Sequence, residues 1–159
     1  MADIDIGSPA INRAYDMLVG GRTEINNVNP ANLDGIIDTV EIWVFTSMTG
    51  VMIGTFDKLD GNIFKCRDSV AIGNVASGAK RTFPGLSIEV KAGDYIGIYS
   101  ATGRIEKDTN LGNQWWFKLG HWIDPGDQNT FGLLTNCYCS LYGSGEEVAL
   151  GRSQAVIIG

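Results

Sequence analysis

Four aromatic side chains close together in this chain, Trp115, Trp116, His121 and Trp122, have the types and spacing that recognition chemistry uses. A tryptophan presents a rigid apolar face that stacks on a sugar ring or anchors a protein interface at small entropic cost. On a strand, adjacent residues point to opposite sides, so one of Trp115 and Trp116 enters the core while the other meets solvent or a partner. His121 and Trp122 follow in a loop, and all four are candidate ligand or partner contacts. His121 is the only histidine, with no serine elbow and no second imidazole beside it, so it reads as an aromatic-flanked structural or surface residue.

Paired carboxylates are the next candidates. Glu106 and Asp108 alternate along a strand, and Asp124 and Asp127 bracket the Pro125-Gly126 turn. Glycoside hydrolysis needs two such groups roughly 5–10 Å apart in a cleft, whereas acids beside glycine and proline are usually solvated turn formers. Asp57 to Asn62 offers oxygen donors but lacks the distal glutamate of a calcium-binding EF-hand loop, and Asp60-Gly61 makes it a hairpin turn. Cys66, Cys137 and Cys139 form an odd set without zinc-type spacing, and read as small buried hydrophobes. The expectation is a chain without catalytic residues, cofactor or metal.

Composition narrows the partners. A net charge of −6 opposes non-specific attraction to a phosphate backbone, which excludes nucleic acid as the expected ligand. The amino terminus has no basic region followed by an apolar one, and nothing approaches the ~20 continuous apolar residues of a membrane span. The expectation is a soluble protein made in the cytosol without a secretion signal. At 159 residues the chain fits one domain with a self-sufficient core.

The elements that must position these residues are strands. Period-two alternation with β-branched and aromatic residues runs from Gly35 to Phe45, and shorter strands are expected at Val51 to Phe56, Ile63 to Arg67 and Ser69 to Val75. Thr46 to Gly50 is expected to turn. Leu86, Ile88 and Val90 share a face, Ala92-Gly93-Asp94 reverses the chain, and Tyr95 to Tyr99 returns, the pattern of a β-hairpin. Ala10 to Val19 has near-helical spacing of Ile11, Tyr15 and Leu18, enough for one or two turns before Gly20-Gly21. In all, about nine or ten short strands at 8–12-residue spacing predict an all-β antiparallel sandwich, with long connections favouring Greek-key or jelly-roll returns. Residues 1–34 are expected as an irregular amino-terminal arm with the first strands, and 35–159 as the sandwich. The apolar tail containing Val156, Ile157 and Ile158 either pairs within its own sheet or docks on a neighbouring subunit.

The runs IDIGSPAINRA, GIIDTVEIWVF and GLSIEVKAGDYIGIYSATGRIE together resemble small jelly-roll proteins of bacteriophage virions. The phrase VKAGDYIGIY is also similar to the late hairpin of trimeric jelly rolls of the tumour-necrosis-factor and complement type. The resemblance implies a virion component, a capsid decoration or cement protein, trimeric and bound to the major capsid protein or another virion protein. The alternative is a carbohydrate- or receptor-binding module that stacks a glycan on Trp115 or Trp116 and Trp122.

Overall fold

The computed structural model describes residues 3–109 and 114–148. Among them are fifteen strands: β1 (Asp3–Gly7), β2 (Tyr15–Leu18), β3 (Arg22–Asn26), β4 (Gly35–Ile42), β5 (Val44–Asp60), β6 (Ile63–Val75), β7 (Arg81–Phe83), β8 (Ile88–Val90), β9 (Tyr95–Ser100), β10 (Thr102–Asp108), β11 (Gln114–Leu119), β12 (Gln128–Thr130), β13 (Gly132–Thr135), β14 (Tyr138–Cys139) and β15 (Leu141–Glu147). No helix among the described residues is long and apolar enough to cross a membrane.

Five strands form a small sheet in the order β1-β15-β4-β7, with β8 also paired to β4. Ten form a large sheet, β12-β6-β5-β9-β3-β11-β13, from which β10 leaves at β5 and carries β2 and β14. All pairings between these strands are antiparallel, and the large sheet curls into half a barrel. The sheets enclose a core in which Ile4, Ile6, Ile37, Val40 and Ile42 of the small sheet join Ile53, Ile96, Ile98, Ile105 and Trp115 of the large one. Each such side chain contributes roughly 1.5–3 kcal/mol on burial. The result is the all-β sandwich that the alternation predicts, with neighbours distant in sequence, as β1 and β15 are.

A second core lies on the far face of the large sheet, where Ile25, Phe56, Phe64, Cys66, Trp116, Ile123 and Phe131 are buried beneath the 120–131 segment. Its aromatic rings meet edge to face, Phe64 against Phe131 at 5.7 Å and Phe56 against Phe131 at 6.2 Å. Gly97 of β9 leaves the room, since a Cβ there would stand 2.4 Å from Phe56 Cε1. The middle of this sheet is therefore covered on both sides, and its strands lose the polar alternation of a half-exposed sheet.

Several local expectations change. Ile88–Val90 and Tyr95–Ser100 are not a hairpin: β8 pairs with β4 in the small sheet, while β9 pairs with β3 and β5 in the large one. The tight turn between them is present, with Gly93 at φ +93° and the Asp94 amide donating to the Lys91 carbonyl at 2.9 Å, but it is an arch that crosses the sandwich. Asp94 holds it there, because its buried carboxylate accepts from Arg67 Nε of β6 at 2.6 Å and from Arg67 Nη2 at 2.9 Å.

Thr46 to Gly50 does not end a strand. β5 runs on through it, exchanging β10 for β6 and β9 as partners, and bulges in its pairings with β6 and β10 absorb the bend. Ala10 to Val19 forms no helix but an irregular stretch and then β2, where Met17 faces the core and pairs with Ile105. Residues 3–26 supply the first three strands, all docked on the sheets, with irregular stretches at 8–14 and 27–34. The expected apolar tail with Val156, Ile157 and Ile158 lies outside the described residues.

Candidate functional site

Trp115 and Trp116 do point to opposite sides of β11, yet neither reaches solvent, with exposures of 0% and 2%. The expectation that one of them meets a ligand is corrected by the second core, which gives each face of this strand its own apolar bed. Trp115 donates its indole N–H to Glu24 Oε1 between the sheets. Trp116 donates to Asn62 Oδ1 at 3.3 Å and tilts against Phe64 at 4.5 Å, with the Lys58 ammonium 5.2 Å from its ring centre.

His121 and Trp122 sit on the outer rim of that second core, His121 exposed and Trp122 half-buried. The imidazole meets the Tyr99 ring at 4.6 Å, and its Nε2 lies 3.2 Å from Met52 Sδ. The Trp122 amide donates to Thr23 Oγ1 and its indole N–H to the Leu119 carbonyl, both at 2.8 Å. One ligand atom from each of His121, Asp124 and Asp127 falls within 4.8 Å of the others. Asp127, however, is committed to the loop: its Oδ2 accepts from the Asp124 amide at 3.1 Å and its carbonyl from the Cys66 amide at 2.8 Å.

The other sequence candidates serve the fold. Glu106 and Asp108 are tied to Arg13, whose backbone N–H donates to Glu106 Oε1 at 2.5 Å and whose guanidinium donates to Asp108 Oδ2 at 2.9 Å. All three cysteines are buried and free. Burial, then Asp127, Asp68 and Asp124, pushes the Cys66 thiol up to about 12, and burial also raises Cys137 and Cys139, so none is the thiolate that nucleophilic chemistry requires.

Glu24, in the middle of β3, is a feature the sequence reading missed. It is fully buried, and Oε2 has no hydrogen-bond partner. Burial pushes its carboxyl up to about 8, against the opposing pull of the Trp115 hydrogen bond and the charges of Arg22 and Lys107. The only sequence signal is a lone acid between Thr23 and Ile25 on a strand, which alternation assigns to the solvent side.

The chain carries an open groove of about 580 Å³. It lies where the outward face of the small sheet meets the 8–14 segment and β14. Asp5, Glu41 and Tyr142 come from β1, β4 and β15, and they are joined by Asn29, Lys80 and Tyr138. Register explains the gathering, since Tyr142 pairs with Gly7 on one side and Glu41 on the other. Asn29, at φ +56°, donates its side-chain amide to Asp5 Oδ1 at 3.0 Å, and Lys80 Nζ stands 3.5 Å from Glu41 Oε2. Burial, followed by a hydrogen bond with Asp5 and the charges of Asp5, Glu41 and Asp3, pushes the Tyr142 hydroxyl up to about 12, which keeps it protonated at neutral pH. A second, more polar hollow shares Asp5 and Tyr142 and adds Asp3, Asp38 and Glu146.

No family model matches the chain, and no curated protein matches it either.

Proposed function

We propose that this chain is a non-enzymatic structural β-sandwich of a virion exterior, a capsid-decoration or cement component made in the host cytoplasm that works as a homotrimer against the major capsid protein. The observation that carries this reading is the exposure of large apolar side chains on the two strands that flank β10, Leu18 of β2 and Phe45 of β5. Leu18 pairs across to Arg104 of β10, whose partner on its other side, Thr46, is the residue after Phe45. Such a patch gains from being covered by a neighbour. The groups that chemistry would use are committed to structure in the same chain, with Arg13 clamped by Glu106 and Asp108 and the thiols held protonated.

The test is oligomeric state and shell binding together. The purified chain is expected to be a trimer by light scattering and to co-sediment with capsids lacking it. A Leu18→Asp, Phe45→Asp double variant is expected to dissociate while its far-ultraviolet spectrum is unchanged. A monodisperse wild-type monomer that ignores every shell offered overturns the reading. The tryptophan platform of the alternative, a glycan- or receptor-binding module, has lost Trp115 and Trp116 to the interior, so recognition through that surface is not proposed.

A further inference from the structure

We infer that the groove between Tyr138 and Tyr142 is a saccharide-binding site that takes a neutral sugar of one or two rings. This goes beyond the assembly role and stands or falls separately from it. The volume of about 580 Å³ lies within the roughly 300–1,000 Å³ of small-molecule sites. Tyr142, the face of Tyr138 opposite Arg13 and the apolar flank of the 9–11 segment line the groove as surfaces for the C–H face of a pyranose. Around them stand Asp5 and Glu41 as acceptors, Lys80 as donor, and Asn29 as both.

That mixture discriminates between ligand classes. An anion would oppose Asp5 and Glu41, a simple cation would meet Lys80, and an acyl chain would desolvate four polar side chains without pairing them. A polyol uses donors and acceptors of both kinds at once. The polar groups are also held before any ligand arrives: Asp5 by Asn29 at 3.0 Å and Glu41 by Lys80 at 3.5 Å. A sugar hydroxyl that joins this network finds its partners already oriented, which lowers the ordering cost of binding.

The experiment is binding of the full chain to an array of immobilised neutral, acidic and amino saccharides, followed by calorimetry with the retained sugar. Asp5→Asn and Glu41→Gln, which preserve shape, are each expected to weaken binding tenfold or more with the melting temperature unchanged. Trp122→Ala, on the far side of the sandwich, is expected to leave it intact. Retention of no neutral saccharide overturns the assignment, as does binding indifferent to both carboxylate variants. A lysine-rich peptide that binds in the sugar's place and is lost with the same variants makes the groove a peptide site and also overturns it. Light scattering of the two carboxylate variants separates this result from the assembly role, which they are expected to leave unchanged.

Discussion

Arg13 and Asp108 are joined by an ion pair of 2.9 Å in which the arginine side chain is 1% exposed and the aspartate 36%. The same guanidinium donates to Ser140 Oγ at 2.7 Å and to the Pro9 carbonyl at 2.6 Å, and lies 4.4 Å over the Tyr138 ring. A single side chain thus fastens the irregular 8–14 stretch to β10 and β14. Asp108 is exposed enough for water to take up its charge. The cost of Arg13→Ala therefore comes from the buried Ser140 and Pro9 acceptors it leaves unpaired, and is expected to be about 1–3 kcal/mol in urea unfolding. Arg13→Lys, which keeps the charge but not the fork of donors, should fall between. A loss below about 1 kcal/mol would mean that the stretch is held by something else.

Glu24 makes stability depend on pH in the direction opposite to most carboxylates. Its folded value of about 8 lies above the ordinary 4.5, so across that window the folded chain keeps a proton that the unfolded chain has released. The contribution is fully present below 4.5 and is lost as pH rises through 8, at roughly 1.4 kcal/mol per pH unit. Glu24→Gln should flatten this slope and raise stability at pH 7 by roughly 2–3 kcal/mol. Urea titrations of both proteins at pH 5, 7 and 8 check it, and parallel slopes would refute it.

The aromatic residues should separate by accessibility. Trp115 and Trp116 are expected to resist iodide quenching while Trp122 responds, and replacing each in turn by phenylalanine assigns the signals. Trp116→Ala should destabilise by about 3–5 kcal/mol, as large-to-small changes in a core do. Trp122→Ala should cost less, because that ring is only half-buried. With the signal of the fourth tryptophan, Trp43, assigned in the same way, comparable quenching of Trp115, Trp116 and Trp122 would contradict the cover on both faces of β11.

Asp94 is expected to be indispensable to the arch. Asp94→Ala removes both acceptors of Arg67 and the acceptor of the Lys91 amide at 2.9 Å. A loss of about 3 kcal/mol or more is expected, together with faster amide exchange at residues 91–95. Unaltered exchange there would show that the turn closes without it.

Alternation made the strands legible, and the all-β class with them, because side-chain direction is a local property. What alternation cannot carry is which sheet a strand joins. Ile88–Val90 and Tyr95–Ser100 have the same pattern in a hairpin as in an arch, and the difference is decided by Arg67, more than twenty residues away in the chain, reaching Asp94. Trp115 and Trp116 illustrate the same gap. Their opposite directions follow from adjacency, but the cover over the outer face comes from Ile123 and Phe131, whose approach to Trp116 no local pattern specifies. The groove was not legible at all, since Asp5, Glu41, Lys80 and Tyr142 meet only through the register of β1, β15 and β4.

The pairing of β1 with β15, from Asp3 opposite Glu146 to Gly7 opposite Tyr142, carries a consequence for biosynthesis. At roughly 5–20 residues per second, a ribosome needs on the order of ten seconds to travel from the first of these strands to the last. Ile4 and Ile6 are made long before their partner strand, so the β1 segment waits uncommitted until β15 has emerged. The small sheet should therefore close in one late step whose rate is set by bringing together the ends of that long intervening loop.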